Sequence, residues 1–294
     1  MKNIHWYPGH MAKSTRAIEK DLKLVDLIIE LLDARIPFAS KNLALDEITN
    51  KPRIILLNKA DMADDIETKK WQHYFEQQGK PVVLVNSLKG EGFSKITQAA
   101  ANLMKDRNAR LKARGRIFTP TRAMIVGIPN VGKSTLINKY VKKSIAKTAN
   151  KPGVTRHNQW IKINKEFELL DTPGILPTKL DEKSGQRLAI SGAVIDHVLD
   201  IYELSIILIP FLQERYCGVL KSRYDIEENL SPEHTLNAIA ESKKLLQKGA
   251  TLDITRAANL LIDDFRNLRL NRITLETPED IEKEREEIEN NSKV

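Results

Sequence analysis

The stretch Gly127-Ile128-Pro129-Asn130-Val131-Gly132-Lys133-Ser134 decides the fold, because it matches the pattern G-x-x-x-x-G-K-S. It follows the apolar run 123–126 and precedes a helical pattern that begins near Lys133. A strand, a glycine-rich turn and a helix in this order direct backbone N–H groups toward a bound phosphate. Lys133 would place its charge against the outer phosphates, and Ser134 would offer an oxygen to magnesium. The stretch therefore predicts a nucleoside-triphosphate site at one edge of a sheet.

Short apolar runs alternate with longer amphipathic segments between residues 25 and 174, which is typical of parallel strands joined by crossover helices. The continuous apolar runs favour strands that are covered by helices on both faces. We expect strands at residues 24–32, 53–57, 82–85 and 123–126, a hairpin at 160–163 and 168–170, and helices at 66–78 and 93–105. The fold class predicted for this part is α/β with a mostly parallel sheet.

The strand pattern ends after Pro177, and the rest of the chain favours helices. Amphipathic spacing predicts helices at residues 185–199, 233–248 and 254–270, and the apolar run 204–212 favours a buried helix. Residues 278–294 are rich in Glu and Lys, which favours a frayed or disordered tail. With 294 residues, the chain is predicted to have a nucleotide-binding domain at 1–177 and a smaller all-α domain at 178–294.

The composition indicates a globular protein with polyanionic partners. Hydrophobic residues make up 41% of the chain and charged residues 29%, and the formal net charge is +8. The basic stretch 107–116 favours a solvated linker over an RNA-facing strap. The single Cys217 is interpreted as a buried structural thiol in a reducing compartment. Because the apolar runs are too short to cross a bilayer and no export signal is recognisable, we expect a cytoplasmic protein without a membrane partner.

The nucleotide base is predicted to be guanine, although the phosphate loop alone cannot separate GTP from ATP. Asn58-Lys59-Ala60-Asp61 follows the apolar run 53–57 and matches N-K-x-D. The Asp61 carboxylate would accept hydrogen bonds from the ring N–H and the exocyclic amine of guanine, a donor pair that adenine lacks. Asn58 would bond the far side of the purine, and the Lys59 stem would cover its face.

Two further loops complete the predicted site. Residues 86–89, Asn86-Ser87-Leu88-Lys89, follow a strand and are similar to the second guanine-contacting loop of GTPases, although that motif is loose. Asp171-Thr172-Pro173-Gly174 would hold magnesium through a water molecule bound to the Asp171 carboxylate, and would sense the terminal phosphate through the Gly174 N–H. Thr155, between the phosphate loop and Asp171, is a candidate magnesium ligand. The remaining candidate contacts to GTP are the loop residues Asn130, Val131, Gly132 and Thr135.

The order of the motifs predicts a circular permutation. In ordinary GTPases the phosphate loop comes first, whereas here the base-reading motif at Asn58 precedes it. A permuted chain can keep the same site because contacts, rather than connectivity, build it. In this order the segment after Gly174 leads into the helical domain, so a nucleotide-dependent movement could reach that domain.

With these motifs the chain resembles the circularly permuted GTPases, and among them the bacterial GTPases of ribosome biogenesis. The resemblance runs nearly end to end and is carried most specifically by Trp6-Tyr7-Pro8-Gly9-His10-Met11 and Asp33-Ala34-Arg35-Ile36-Pro37. It implies magnesium-dependent GTP hydrolysis, stimulated by the particle, during late maturation of the large ribosomal subunit. It also implies association with the precursor particle, its 23S rRNA and ribosomal proteins, with no DNA partner.

The resemblance also suggests how hydrolysis is catalysed. Many GTPases place a glutamine after D-x-x-G to orient the attacking water, but this chain has Ile175. His10 is our candidate for that task, and its alternative roles are a helix cap or an RNA contact. Asn130 resembles the ligand of a potassium ion beside the phosphates, which could replace an arginine finger.

Three functions compete at this stage. The leading hypothesis is an assembly factor whose GTP state controls binding to pre-ribosomal RNA. The second is a nucleotide-gated RNA-binding module in which hydrolysis is incidental. A signalling GTPase with a protein target is disfavoured by the net charge and by the resemblance.

Overall fold

A mostly parallel sheet forms the centre of the nucleotide-binding part. The computed structural model describes residues 19–115, 119–145, 160–171, 181–194 and 200–291. In these ranges six strands lie in the order β3-β2-β1-β4-β6-β5, and β5 is the one antiparallel strand. The strands are β1 (Leu27–Asp33), β2 (Arg53–Asn58), β3 (Val82–Val85), β4 (Thr121–Gly127), β5 (Trp160–Lys162) and β6 (Phe167–Asp171). The predicted fold class and the predicted hairpin are confirmed.

Helices cover this sheet and build the carboxyl-terminal part. Those in the first part are α1 (Ala44–Ile48), α2 (Asp65–Gln77), α3 (Phe93–Leu103), α4 (Lys105–Ala113) and α5 (Lys133–Ile145). Those in the second part are α6 (Glu182–Ile190), α7 (Ile201–Arg215), α8 (Val219–Tyr224), α9 (Pro232–Ser242), α10 (Ile254–Arg266) and α11 (Pro278–Asn291). We call the segment from α6 to α10 the helical unit. Among the described residues, no helix combines the length and the apolar character needed to span a membrane.

The strand β1 is buried on both faces, as its unbroken apolar run predicts. Alternate side chains of a strand point to opposite faces of the sheet. Leu27, Ile29 and Leu31 accordingly join the large core beneath α3 and α5, whereas Leu32 joins the separate core beneath α2. The large core continues into the helical unit, so both parts of the chain share one hydrophobic interior.

Three predicted helices end earlier than their hydrophobic pattern suggests. α6 ends at Ile190, where the Ser191 hydroxyl donates to the Leu188 carbonyl, and residues 195–199 lie outside the described ranges. α9 ends before Lys244 and α10 before Leu268, both of which have positive φ. A left-handed residue breaks the repeat of helical dihedral angles, so the apolar residues beyond it pack as loops.

One interpretation of an individual residue is wrong, and one segment has more regular structure than expected. Cys217 is exposed rather than buried, because it lies in the turn just after α7. The stretch 107–116 is helical up to Ala113, where α4 ends, so it is not an irregular segment, although none of the side chains of α4 is buried. Strong helix formers in that stretch support the helix even though it buries none of its side chains.

The prediction of a disordered tail is also wrong, since α11 is a helix that lies against α2 of the first part. Ile281 is buried in one core with Trp71 and Phe75. Arg187 of α6 makes a two-bond ion pair with Glu284, at 2.6 and 3.0 Å. The burial of Ile281 together with well-placed ion pairs thus orders a segment whose composition favours disorder. Residues 292–294 lie outside the described ranges.

A buried carboxyl group, Glu276, holds the start of this tail to the first part. Its Oε1 accepts from the backbone N–H groups of Phe38 and of Ala39, the latter at 3.0 Å. Its Oε2 lies 3.5 Å from Nη1 of Arg187. Burial raises the pKa of Glu276 to about 7, and Arg187 together with the two N–H groups opposes that increase only in part.

This raised pKa predicts a fold that loses stability as the pH rises. Between the ordinary Glu pKa of 4.5 and about 7, the folded chain retains a proton that the unfolded chain releases. The contribution of Glu276 to the free energy of unfolding should therefore fall by about 1.4 kcal/mol per pH unit, or about 3 kcal/mol over the window. Urea unfolding of wild type and Glu276→Gln at pH 5 and pH 8 measures this difference. Glu282→Gln, an exposed carboxyl of α11, is the control. The prediction would be contradicted if the free energies of unfolding of wild type and Glu276→Gln differed by the same amount at both pH values.

Candidate guanine nucleotide site

Residues of the phosphate loop and of the two base-reading loops line one cleft at the edge where the parallel strands end. Because parallel strands share this edge, loops that are distant in sequence lie side by side there. The cleft has a volume of about 260 Å³. Its lining combines predicted residues with residues of the helical unit: Arg35, Asn58, Lys59, Asp61, Met62, Asn86, Ser87, Leu88, Asn130, Gly132, Thr135, Ser191 and Arg266.

The phosphate loop connects β4 to α5, as its motif predicts. Asn130 has φ +56° and Gly132 has φ +99°, so the loop needs left-handed backbone at both positions. Lys133 Nζ lies 2.7 Å from Asp171 Oδ1 at the end of β6. Ser134 and Thr135 are exposed in the first turn of α5, where helix N–H groups and the helix dipole favour an anion. The structure therefore joins the loop lysine to the D-T-P-G carboxylate, and the loop hydroxyls follow that lysine in the first turn of α5.

The buried side chain of Asn58 joins the phosphate loop to the two base-reading loops. Its Nδ2 donates to the Val131 carbonyl at 2.7 Å. Its Oδ1 accepts from the N–H and the hydroxyl of Ser87, at 3.1 and 2.8 Å. Asn86 shapes the second loop, where its Oδ1 accepts from Lys89 N at 2.9 Å. These contacts make Asn58 a structural link between the loops, and the purine contact assigned to it from the sequence stays a prediction.

Lys59 is held by a buried pair of charges that sequence reasoning quoted but gave no role. Its Nζ lies 2.7 Å from Oδ2 of Asp33, and Arg35 binds the same carboxylate through Nε at 3.0 Å and Nη2 at 2.8 Å. Burial alone would raise the pKa of Asp33, but Arg35 and Lys59 hold it well below its usual range. The D-A-R sequence that begins with the last residue of the buried strand β1 was the signal for this arrangement, because charges so placed need partners.

The helical unit supplies the outer wall of the cleft. Arg35 Nη2 also donates to the Ser191 carbonyl at 3.0 Å, and Asn130 Nδ2 donates to the Ala193 carbonyl at 3.3 Å. Arg266 donates to the carbonyls of Ala189 and Ile190 at the end of α6. Sequence reasoning missed Ser191 and Arg266, because no local pattern indicates that residues so far along the chain return to this edge.

Comparison with known proteins agrees with this geometry. Two family descriptions match the chain, "50S ribosome-binding GTPase" over residues 122–244 and "RsgA GTPase" over residues 28–181. Ribosome biogenesis GTPase A of Bacillus pumilus is 45% identical over 94% of this chain and 99% of its own length. The protein of that name from Thermotoga maritima is 34% identical over 95% of this chain and 96% of its own length.

The chain belongs to the ribosome biogenesis GTPase A family.

Solved structures show the same fold. The GNP-bound YlqF of Thermotoga maritima has a TM-score of 0.62 at 31% identity, covering 91% of this chain and 99% of that one. Its GDP-bound structure has a TM-score of 0.63 at 31% identity, covering 90% and 100%. Membership of the family establishes that the chain is a GTPase, and the suspected family is confirmed.

GTPases of this family require a divalent metal such as Mg²⁺, and the described residues fit one. The hydroxyl of Ser134 and the carboxylate of Asp171 provide the oxygen ligands that Mg²⁺ prefers, beside a lysine suited to phosphate. Within the described ranges, His, Cys, Asp and Glu form no cluster of three that could hold a metal by themselves.

Three predicted site residues lie outside the described ranges, namely His10, Thr155 and Gly174. The same holds for Ile175, which stands where many GTPases place a glutamine. Their assigned roles in positioning water, binding magnesium and sensing the terminal phosphate stay predictions.

Proposed function

We propose that this chain acts in the cytoplasm in late maturation of the large ribosomal subunit, and that its GTP state controls its binding to the precursor particle. The proposed partners are the 23S rRNA and ribosomal proteins of that particle. The observation that carries the proposal is the two-part wall of the cleft. A nucleotide in it would contact the GTPase loops and also lie against Ser191 and Arg266 of the helical unit.

The hydrogen bonds across the cleft give the nucleotide a route to the helical unit. Asn130 of the phosphate loop bonds Ala193, and Arg35, which shares Asp33 with the base-reading Lys59, bonds Ser191. A change at the outer phosphates would alter the position of Asn130, and with it the loop that follows α6. Names of relatives that refer to ribosome biogenesis and a net charge of +8 support the ribosomal particle as the partner.

Co-sedimentation with large-subunit particles and their precursors tests the proposal. The chain should bind more in GTP or a non-hydrolysable analogue than in GDP, because only the triphosphate adds contacts at the outer phosphates. Binding should also weaken as salt rises. Equal binding in all three nucleotide states would favour a passive RNA-binding protein. A hydrolysis-deficient variant that still supports complete subunit maturation would favour the nucleotide-gated module.

Measurement of GTP turnover in the same samples tests the proposed catalytic groups. We propose that His10 positions the attacking water and that Asn130 Oδ1 binds K⁺. Nδ2 of Asn130 is engaged with Ala193, so the amide has a defined orientation. His10→Ala should lose about 100-fold or more of particle-stimulated turnover with GTP affinity little changed. Replacement of K⁺ by Na⁺ should slow GTP turnover by the wild-type protein. Full stimulated turnover in His10→Ala would leave His10 a structural residue.

A further inference from the structure

A surface at the opposite edge of the sheet has a concentration of cations that GTP binding does not use. It consists of Lys105, Arg107, Arg110, Lys112 and Arg114, and we call it the α4 surface. Four of these side chains are exposed and Arg107 is half-buried. Asp106 is the one acidic residue between Lys105 and Arg114. Within the described ranges, ion pairing of this group is limited to Arg107, whose Nη2 lies 2.8 Å from Asp26 Oδ1.

The position of this surface is set by Asp26, which precedes β1. The second oxygen of Asp26 accepts from Arg122 N at the start of β4, at 2.9 Å. The pair therefore fixes α4 beside the edge where the parallel strands begin. The nucleotide cleft lies at the other edge, where the same strands end, so a ligand on the α4 surface would not cover it.

The helix dipole accounts for only some of these cations. The helix dipole favours positive charge in the last turn, which accounts for Arg110 and Lys112. In the first turn, where Lys105 and Arg107 lie, cations are unfavourable, and none of the side chains of α4 is buried. Arg107, Arg110 and Arg114 also lie on one side of the helix at spacings of three and four residues, where like charges repel. A polyanion on this surface would remove that repulsion.

The basic charge of α4 is not shared by every exposed helix. The helix α11 carries seven carboxylates and two cations between Pro278 and Asn291, whereas the α4 surface has five cations and one carboxylate. Leu111 is the one large apolar side chain of α4. A membrane-surface helix needs an apolar face to insert, so this helix suits a polyanion in water rather than a lipid surface.

We infer that the α4 surface binds the phosphate backbone of RNA, and that it anchors the chain to its particle independently of the bound nucleotide. This rests on the proposed function in that the particle is the source of the RNA. Backbone contacts of this kind carry affinity and salt dependence but little sequence preference. The α4 surface would then supply a constant attraction, and the cleft with its helical wall would supply the nucleotide-dependent part.

Charge reversal tests the inference on the full chain. Arg110→Glu/Arg114→Glu should weaken binding to a short RNA duplex of mixed sequence at least about tenfold and lower the slope of log K against log salt by about 2. The loss should be equal with GTP analogue and GDP, and GTP affinity should not change. The control Lys69→Glu/Lys283→Glu makes the same change in net charge at two exposed positions on α2 and α11.

The outcomes separate this inference from the proposed function. Equal weakening by both double variants would overturn it, since net charge alone would then explain the effect. Unchanged RNA binding by Arg110→Gln/Arg114→Gln, which keeps helix-forming residues, would also overturn it. Tighter binding to phosphatidylserine vesicles than to RNA would identify a membrane surface instead. Nucleotide-dependent particle binding with no effect of the α4 variants would leave the proposed function intact and the α4 inference wrong. RNA binding that depends on α4, without any binding to the particle, would support the α4 inference and contradict the proposed function.

Discussion

Replacement of Gly132 by alanine is expected to lower GTP affinity by at least about 100-fold. An added Cβ would lie 2.4 Å from Asn58 Nδ2, and the backbone at this position has φ +99°, which L side chains rarely adopt. Asn58 cannot yield at low cost, because both ends of its amide are hydrogen-bonded to the neighbouring loops. Strain at φ costs about 1–2 kcal/mol, and a buried hydrogen bond left unmade costs about 1–3 kcal/mol. Either the phosphate loop or the link between the loops must therefore move.

Titration with GDP and a GTP analogue measures this effect, and Gly79→Ala is its matched control. Gly79 has a comparable positive φ of +70° in the turn after α2, but an added Cβ there would meet nothing within 4 Å. The Gly79→Ala variant therefore has the backbone strain without the contact to Asn58, and its nucleotide affinity should equal that of the wild type. A Gly132→Ala protein that binds within about threefold of the wild type would contradict the role assigned to Asn58, because a lost buried hydrogen bond alone should cost more.

Asp61→Asn is expected to change the base that the cleft prefers. We assign to Asp61 the carboxylate that accepts from two N–H donors of guanine, and Asp61 lines the cleft beside Asn86 and Ser87. An amide at this position offers a donor where guanine also has one, so GTP affinity should fall by about 100-fold. Xanthine has a carbonyl in place of the exocyclic amine of guanine, so xanthosine triphosphate should gain affinity. Competition titrations with GTP, ATP and xanthosine triphosphate measure the change.

The control for this substitution is Asp64→Asn, three residues further along the chain. Asp64 caps α2 by accepting from the N–H groups of Ile66 and Glu67, and it does not line the cleft. Asparagine is as good a helix cap as aspartate, so this variant should keep the nucleotide preference and stability of the wild type. Tight ATP competition against wild type would show that the site does not select guanine. Unaltered base preference in Asp61→Asn would show that guanine is recognised elsewhere.

The fold of the sheet could be predicted from the sequence because its signals are local. Each nucleotide motif directly follows an apolar run that buries as a strand, and parallel strands bring their following loops to one edge. Asn58, Asp61, Ser87 and Lys133 could therefore be assigned to one site before any distance was known, and the structure places them at one edge of the sheet. The permuted order did not obscure this, because the site depends on adjacent loops rather than on their order in the chain.

The contacts between the two parts of the chain were decided by the tertiary structure. Arg35 meets the Ser191 carbonyl across 156 positions of sequence, and Trp71 Nε1 donates to the Glu276 carbonyl across 205. The composition of α11 favours disorder, yet Ile281 packs in one apolar core with Trp71 and Phe75 of α2. Local sequence reports only local propensity, whereas the free energy of such contacts depends on a partner surface that other elements build. For this reason the sequence by itself determined the nucleotide motifs and the strands that carry them, and the three-dimensional packing decided that the helical unit forms a wall of the nucleotide cleft.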